Sequence, residues 1–210
     1  VNDRDIKVVG LGPGNLDYIT GAGIKAIQES EIIIGGKRQL EEIETLLKNQ
    51  ERYTLGKLQL MKEFVLENLD KRITFIVSGD TGYYSLLTYL KNNFMDIKFG
   101  VIPGISSFQY LFSKLEMTWE YFSPHSVHGR EFDYIKALES SKNGVILLTD
   151  SINNPIEISK VLLKNGIKNV EVIVGERLSY EDECITRFDV KDYKGYDREY
   201  LMNVTILRKI

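Results

Sequence analysis

The stretch Ile6-Lys7-Val8-Val9-Gly10-Leu11-Gly12-Pro13-Gly14 decides the fold class. Residues 6–11 form a short apolar run, the pattern of a buried strand. The glycines behind it permit a sharp turn at the strand end. Moving outward, residues 17–29 carry Ile19, Ala22, Ile24, Ala26 and Ile27 at helical spacing. Glu31-Ile32-Ile33-Ile34 predicts a second strand, stopped by Gly35-Gly36. Leu40, Ile43, Leu46 and Leu47 predict a helix over 37–48, and Tyr53-Thr54-Leu55 a short strand. A helix from Leu58 to Leu69, a strand over 72–77, a helix from Tyr84 to Leu90 and a strand over 97–102 follow. Alternating strands and helices predict a parallel α/β sheet with helices on its faces. Unbroken apolar strands agree with burial on both faces.

After Pro103-Gly104 the texture changes. Residues 105–115 predict a helix, with Phe108, Leu111, Phe112 and Leu115 on one face. Residues 118–130 are aromatic and polar, with Trp119, Tyr121, Phe122 and both histidines. Strands are predicted over 145–149, 170–174, 183–190 and 203–208, with a helix from Ile156 to Asn165 capped by Gly166. Late strands without intervening helices point to a mixed sheet. The expected architecture is α/β in two closely packed lobes, 1–110 and 111–210. The first carries a parallel sheet, the second a mixed one, with an active-site cleft between them.

Composition narrows the function classes. The chain has 210 residues and a net charge of −3. A general nucleic-acid binder is usually basic, so no nucleic-acid partner is expected. A single cysteine, Cys184, cannot close an intramolecular disulfide. With two histidines, His125 and His128, it leaves too few soft ligands for zinc, so no metal site is expected. No run approaches the ~20 apolar residues of a membrane span. No signal-peptide pattern precedes the first strand, so a soluble, cytoplasmic protein is expected.

Polar turns close several strands. Gly10-Leu11-Gly12-Pro13-Gly14 is not the dinucleotide fingerprint, which needs G-x-G-x-x-G and an acidic residue after the second strand. Here that strand ends in Gly35-Gly36. Pro13 stiffens the loop and removes an N–H, which suits a wall better than a phosphate cradle. A tight turn without a ligand fits the motif equally well. In Ser78-Gly79-Asp80-Thr81-Gly82-Tyr83-Tyr84, Asp80 reads either as a ligand contact or as the N-cap of the next helix. Pro103-Gly104-Ile105-Ser106-Ser107, Leu148-Thr149-Asp150-Ser151 and Gly175-Glu176-Arg177-Leu178-Ser179 are further turns of this kind. Together these turns would line a polar rim, which capping alone explains poorly. The segment 123–130 holds both histidines and reads as a catalytic dyad, a substrate grip or a surface loop. There is no G-x-S-x-G nucleophile elbow to support a hydrolase triad. Arg130 and Arg38 have the fork that binds carboxylates.

The glycine-proline-glycine turn at 10–14, Gly79-Asp80 with Tyr84, and the Pro-Gly-x-Ser-Ser turn at 103–107, in this order, resemble the tetrapyrrole methyltransferases, which use S-adenosylmethionine. The resemblance spans essentially the whole chain. Gly35-Gly36-Lys37-Arg38-Gln39-Leu40 and His128-Gly129-Arg130 are similar to the cobalamin-pathway members that methylate C5 of cobalt-precorrin-7. Many relatives have Pro after Gly-Asp, where this chain has Thr81.

The resemblance implies that S-adenosylmethionine is held by Gly79, Asp80, Thr81, Tyr84, Ser106 and Ser107, together with Thr149, Asp150, Glu176 and Leu178, largely through backbone. It implies that Gly12, Pro13 and Gly14 face a corrinoid substrate. Arg38, His128 and Arg130, with Lys37, are the candidates for the substrate's carboxylates in an acidic protein. No catalytic side chain is expected, because the sulfonium methyl is already activated and the meso carbon is electron-rich. Orientation and exclusion of water would supply most of the rate, roughly 7–11 kcal/mol at the limit. A homodimer is the family's usual state. Fused relatives add a C15-methylating, decarboxylating domain, which a 210-residue chain has no room for, so that step would fall to a separate partner. The alternatives are methylation at another ring carbon, a different substrate such as uroporphyrinogen or diphthine, and a non-catalytic binding module.

Overall fold

A computed structural model describes residues 6–201 and 203–210. The backbone divides into two compact units, Val1–Ser106 and Ser107–Ile210.

The first unit is built on β1 (Ile6–Gly10), β2 (Ile32–Gly35), β3 (Glu51–Thr54), β4 (Ile73–Val77) and β5 (Gly100–Ile102). They form one sheet in the order β3-β2-β4-β1-β5, and every pairing in it is parallel. This is the parallel sheet expected. Helices α1 (Gly21–Glu29), α2 (Lys37–Glu42), α3 (Leu58–Glu67) and α4 (Leu87–Asn93) connect the strands. Alternate residues of each strand serve opposite cores. Ile6, Val8, Ile34 and Phe75 pack with Met61, Val65 and Leu90, whereas Val9, Ile33 and Ile76 pack with Ala26, Ile27, Leu40 and Ile43. Burial on both faces explains the unbroken apolar strands.

The second unit holds α5 (Ser107–Lys114), α6 (Tyr134–Ser140) and α7 (Pro155–Lys164) beside β6 (Phe122–Ser126), β7 (Gly144–Leu148), β8 (Val170–Glu176), β9 (Cys184–Asp189) and β10 (Asn203–Lys209). The strand order is β6-β7-β10-β8-β9, with β6 parallel to β7 and the other pairs antiparallel. The sheet is mixed, as expected. β6, β7 and β8 therefore end at the edge where β10 begins. Valines and leucines of β7, β8 and β10 pack against Leu138, Ile156, Ile158 and Leu162.

Several element bounds depart from the sequence expectation for local reasons. The helix expected over 17–29 starts only at Gly21, because Thr20 caps it by accepting the Gly23 N–H at 3.1 Å. Residues 16–18 are instead a separate 3-10 turn. The helix expected over 37–48 stops at Glu42, and residues 44–46 continue as a 3-10 turn. Leu40, Ile43 and Leu46 recur every three residues, a spacing that the tighter helix keeps on one face. Tyr84 adopts φ +50°, which no α-helix accommodates, and the Ser85 hydroxyl accepts the Leu87 N–H at 3.2 Å. Helix α4 therefore begins three residues later than Tyr84. The aromatic and polar segment 118–130, in which no strand is expected, contains strand β6. Pro124 and His125 are weak strand signals, but β6 is an edge strand, where proline is tolerated.

Candidate active site

In the first unit the glycine turns behind β1, β4 and β5 meet at the C-terminal edge of the parallel sheet, the edge where α/β folds bind ligands. Gly12 and Gly79 exchange backbone hydrogen bonds, Gly79 N–H to Gly12 O at 2.8 Å and Gly12 N–H to Gly79 O at 3.2 Å. Gly10 and Gly104 touch through backbone. A Cβ on Gly104 would stand 2.2 Å from the Gly79 carbonyl oxygen, and one on Gly10 would stand 2.6 Å from the Gly104 nitrogen. These two glycines are required for close approach of chain to chain.

Asp80 ties the junction together. Its Oδ1 accepts the Gly82 N–H at 2.8 Å and its Oδ2 accepts the Gly104 N–H at 3.2 Å. The N-cap alternative for Asp80 is excluded, because α4 begins at Leu87. Thr81 and Ser106 are buried, Tyr84 is exposed, and Tyr83 packs edge-on against Tyr84 with centroids 4.9 Å apart. Burial pushes the Tyr83 phenol well above its usual range, keeping it neutral. Pro13 and Gly14 are half-buried in the loop behind Gly12, with Gly12 at φ +82°.

Arg38 reaches this junction from the first turn of α2. Its Nη2 donates to the Ser78 hydroxyl at 2.8 Å and its Nη1 to Glu42 Oε1 at 3.0 Å. Gln39 Nε2 also donates to Ser78 Oγ, at 2.7 Å. Lys37 instead faces Glu41, at 3.9 Å on an exposed surface.

In the second unit the turns behind β6 and β7 are locked together. His128 Nδ1 lies 3.1 Å from the Thr149 carbonyl oxygen. A carbonyl only accepts, so Nδ1 carries a proton and donates it. Asp150 Oδ2 accepts the Gly129 N–H at 2.8 Å, and its Oδ1 accepts the N–H groups of Ile152 and Asn153. Burial acts to raise the Asp150 pKa, but these donors outweigh it and hold the carboxyl below the usual range. Thr149 is buried, and its hydroxyl donates to Asn203, the first residue of β10.

Asn203 pairs in register with Glu176 of β8. The Glu176 side chain is buried and occupied. It forms a two-pronged ion pair with Arg198, and its Oε1 accepts the Leu201 N–H at 3.0 Å. Leu178 is buried beside Gly175, inside a turn where Arg177 and Ser179 both take positive φ. Arg130 is exposed, with its Nε 3.5 Å from the His128 carbonyl. His125 lies apart from that lock. It pairs with Ser123 on the same face of β6 and stacks on Phe132 at 4.0 Å, and burial lowers its pKa.

The predicted positions thus fall into local clusters. Gly12, Gly79, Asp80 and Arg38 gather in the first unit. His128, Thr149, Asp150 and Glu176 gather along one sheet edge in the second. Lys37 pairs with Glu41, and Tyr84 packs against Tyr83. Ser78, Gln39 and Asn203 are members that the sequence reading did not single out. Ser78 adjoins the Gly79-Asp80 signal, whereas Asn203 joins Thr149 across 54 positions and leaves no local trace.

Residues 5–193 match the family model described as Tetrapyrrole (Corrin/Porphyrin) Methylases. The chain belongs to that family. This methylase is 35% identical over 208 residues to a Methanocaldococcus jannaschii protein named "Probable cobalt-precorrin-7 C(5)-methyltransferase", covering 93% of this chain and 94% of that one. It is 30% identical over 203 residues to the Salmonella typhimurium cobalt-precorrin-7 C(5)-methyltransferase, covering 96% and 98%. Among solved structures it is similar to a uroporphyrin-III C-methyl transferase from Thermus thermophilus complexed with S-adenyl homocysteine. The TM-score is 0.77 at 18% identity, covering 96% of this chain and 91% of that one. That likeness shows the fold of the methylase. Among the described residues, no helix is long and apolar enough to cross a membrane, and no cluster of His, Cys, Asp or Glu could hold a metal ion.

Proposed function

We propose that this methylase catalyses S-adenosylmethionine-dependent methylation of C5 of cobalt-precorrin-7 in cobalamin biosynthesis. The observation that carries the reading is the 35% identity to the Methanocaldococcus jannaschii protein of that name across nearly the full length of both chains. The donor set agrees with the cofactor. The turns at 79–84 and 103–107 contain hydroxyls, backbone amides and the Asp80 carboxylate, but no lysine or arginine. That set suits a nucleoside bearing a sulfonium and suits a nucleotide phosphate poorly.

Gly79, Asp80, Thr81, Tyr84, Ser106 and Ser107 would hold the cofactor, with Thr149, Asp150, Glu176 and Leu178. When bound, it supplies a methyl group already activated on sulfur. Because the Glu176 side chain is committed to Arg198, its contribution would come from backbone. Gly12, Pro13 and Gly14 would face the corrinoid. Arg38 and Arg130 would receive its carboxylates, supplying local positive charge in an acidic protein, with His128 as a further substrate contact. Orientation, rather than a strong base, is the work asked of these side chains.

The reading includes a cytoplasmic homodimer, supported by the family resemblance. It is tested by incubating the protein with methyl-labelled S-adenosylmethionine and cobalt-precorrin-7. Label at C5 supports it. Label at another ring carbon, or binding of both molecules without transfer, contradicts it.

A further inference from the structure

We infer that Ser78 is a positioning residue that aims Arg38 at the substrate, and that Gly36 leaves room for the Gln39 contact that supports it. The inference rests on the reading above, in which Arg38 meets a corrinoid carboxylate.

Ser78 is exposed and stands directly behind β4, one residue before the glycine junction. Its hydroxyl oxygen accepts from Arg38 Nη2 at 2.8 Å and from Gln39 Nε2 at 2.7 Å. A hydroxyl has two lone pairs, so both are committed to α2. The opposite side of the guanidinium is held by Glu42, whose side chain is only 11% exposed. The Arg38 fork is therefore clamped between a nearly buried carboxylate on its own helix and a hydroxyl at the end of the neighbouring strand. A planar fork binds a carboxylate well only when its plane is set in advance. Ser78 supplies that setting from 40 positions away in the chain.

Gly36 supports the clamp through Gln39. Its φ of −66° is ordinary, so conformational freedom is not the reason for glycine there. Room is the reason. A Cβ at Gly36 would stand 2.3 Å from Gln39 Oε1, the far end of a flexible side chain. An alanine there would fold, but Gln39 would swing away from Ser78. Gly36 and Ser78 thus act on the same hydrogen-bond set from two elements, β4's end and α2's start.

The test measures KM for cobalt-precorrin-7, calorimetric Kd for S-adenosylhomocysteine and the melting temperature in S78A, S78T and G36A. A one-hydroxyl truncation at an exposed site leaves folding intact, and the melting temperature checks this. The expected result is a roughly tenfold rise in substrate KM for S78A, the scale of one charged hydrogen bond. G36A shows a smaller rise in the same direction, S78T stays near the parent, and cofactor Kd stays unchanged in all three. An unchanged KM in S78A, a parallel loss of cofactor affinity, or no rescue by threonine overturns the inference. Absence of turnover in the parent protein overturns the functional reading and this inference with it. Normal parental turnover with an unchanged S78A overturns the positioning role alone.

Discussion

The Asp80 carboxylate accepts the Gly104 backbone N–H at 3.2 Å, joining the turn behind β4 to the turn behind β5. The same carboxylate accepts the Gly82 N–H at 2.8 Å. One side chain therefore sets the relative position of two turns proposed to hold the cofactor. Asp80→Ala is expected to weaken S-adenosylhomocysteine binding by about tenfold or more, since hydrogen bonds to a charged group are worth about 1.5–3 kcal/mol. Calorimetry checks this, and unchanged affinity would remove Asp80 from the site.

Gly104 itself is expected to tolerate no side chain. Its Cβ would meet the Gly79 carbonyl oxygen at 2.2 Å, and backbone cannot swing away as a side chain can. Gly104→Ala should cost about 1–3 kcal/mol, as overpacking does. Gly21, the first residue of α1, has nothing within 4 Å of its Cβ position. Gly21→Ala should therefore leave the melting temperature unchanged or raise it. A thermal melt of both variants separates close approach from a general cost of replacing glycine.

Much of this architecture is legible in the sequence because local pattern and tertiary role agree. The Val8, Ile33 and Phe75 strands are apolar apart from Lys7 and Thr74, and the structure buries them on both faces. β6 is hard to read because four of its five residues, Ser123-Pro124-His125-Ser126, are weak strand formers. Its place comes from pairing with β7, which is tertiary information. The glycine turns are legible as turns, but their convergence depends on strand order. Gly10, Gly79 and Gly104 meet only because β1 lies between β4 and β5. The Glu176–Arg198 pair is invisible for the same reason: strand-end acid and distant arginine share no local pattern.

Arg130 should matter to substrate and not to cofactor. It lies on an exposed turn with His128, away from the Asp80 junction in sequence. Arg130→Ala is expected to raise KM for cobalt-precorrin-7 by roughly tenfold while cofactor Kd changes little. Equal losses in both quantities would assign Arg130 to the shape of the turn instead.

The Asp150 lock makes stability depend on pH in a defined direction. Burial acts to raise its pKa, but hydrogen bonds from Gly129, Asn153 and Ile152 prevail and lower it. A folded pKa below the unfolded value of about 3.9 means that the unfolded chain binds more protons in acid. The contribution is fully present at neutral pH and is lost as pH falls from the unfolded value through the lower folded one. Asp150→Asn has no such titration. Its melting temperature should lie furthest below the parent's at neutral pH, and the gap should narrow in acid. A gap independent of pH would show that the charge of Asp150 adds nothing to the lock.

The central claim is methylation at one ring carbon, and carbon-13 NMR of the product tests it most directly. The parent protein is incubated with cobalt-precorrin-7 and S-adenosylmethionine labelled at the sulfonium methyl. One enriched methyl resonance coupled to C5 is expected. Enrichment at any other carbon, or none with both molecules bound, would contradict it.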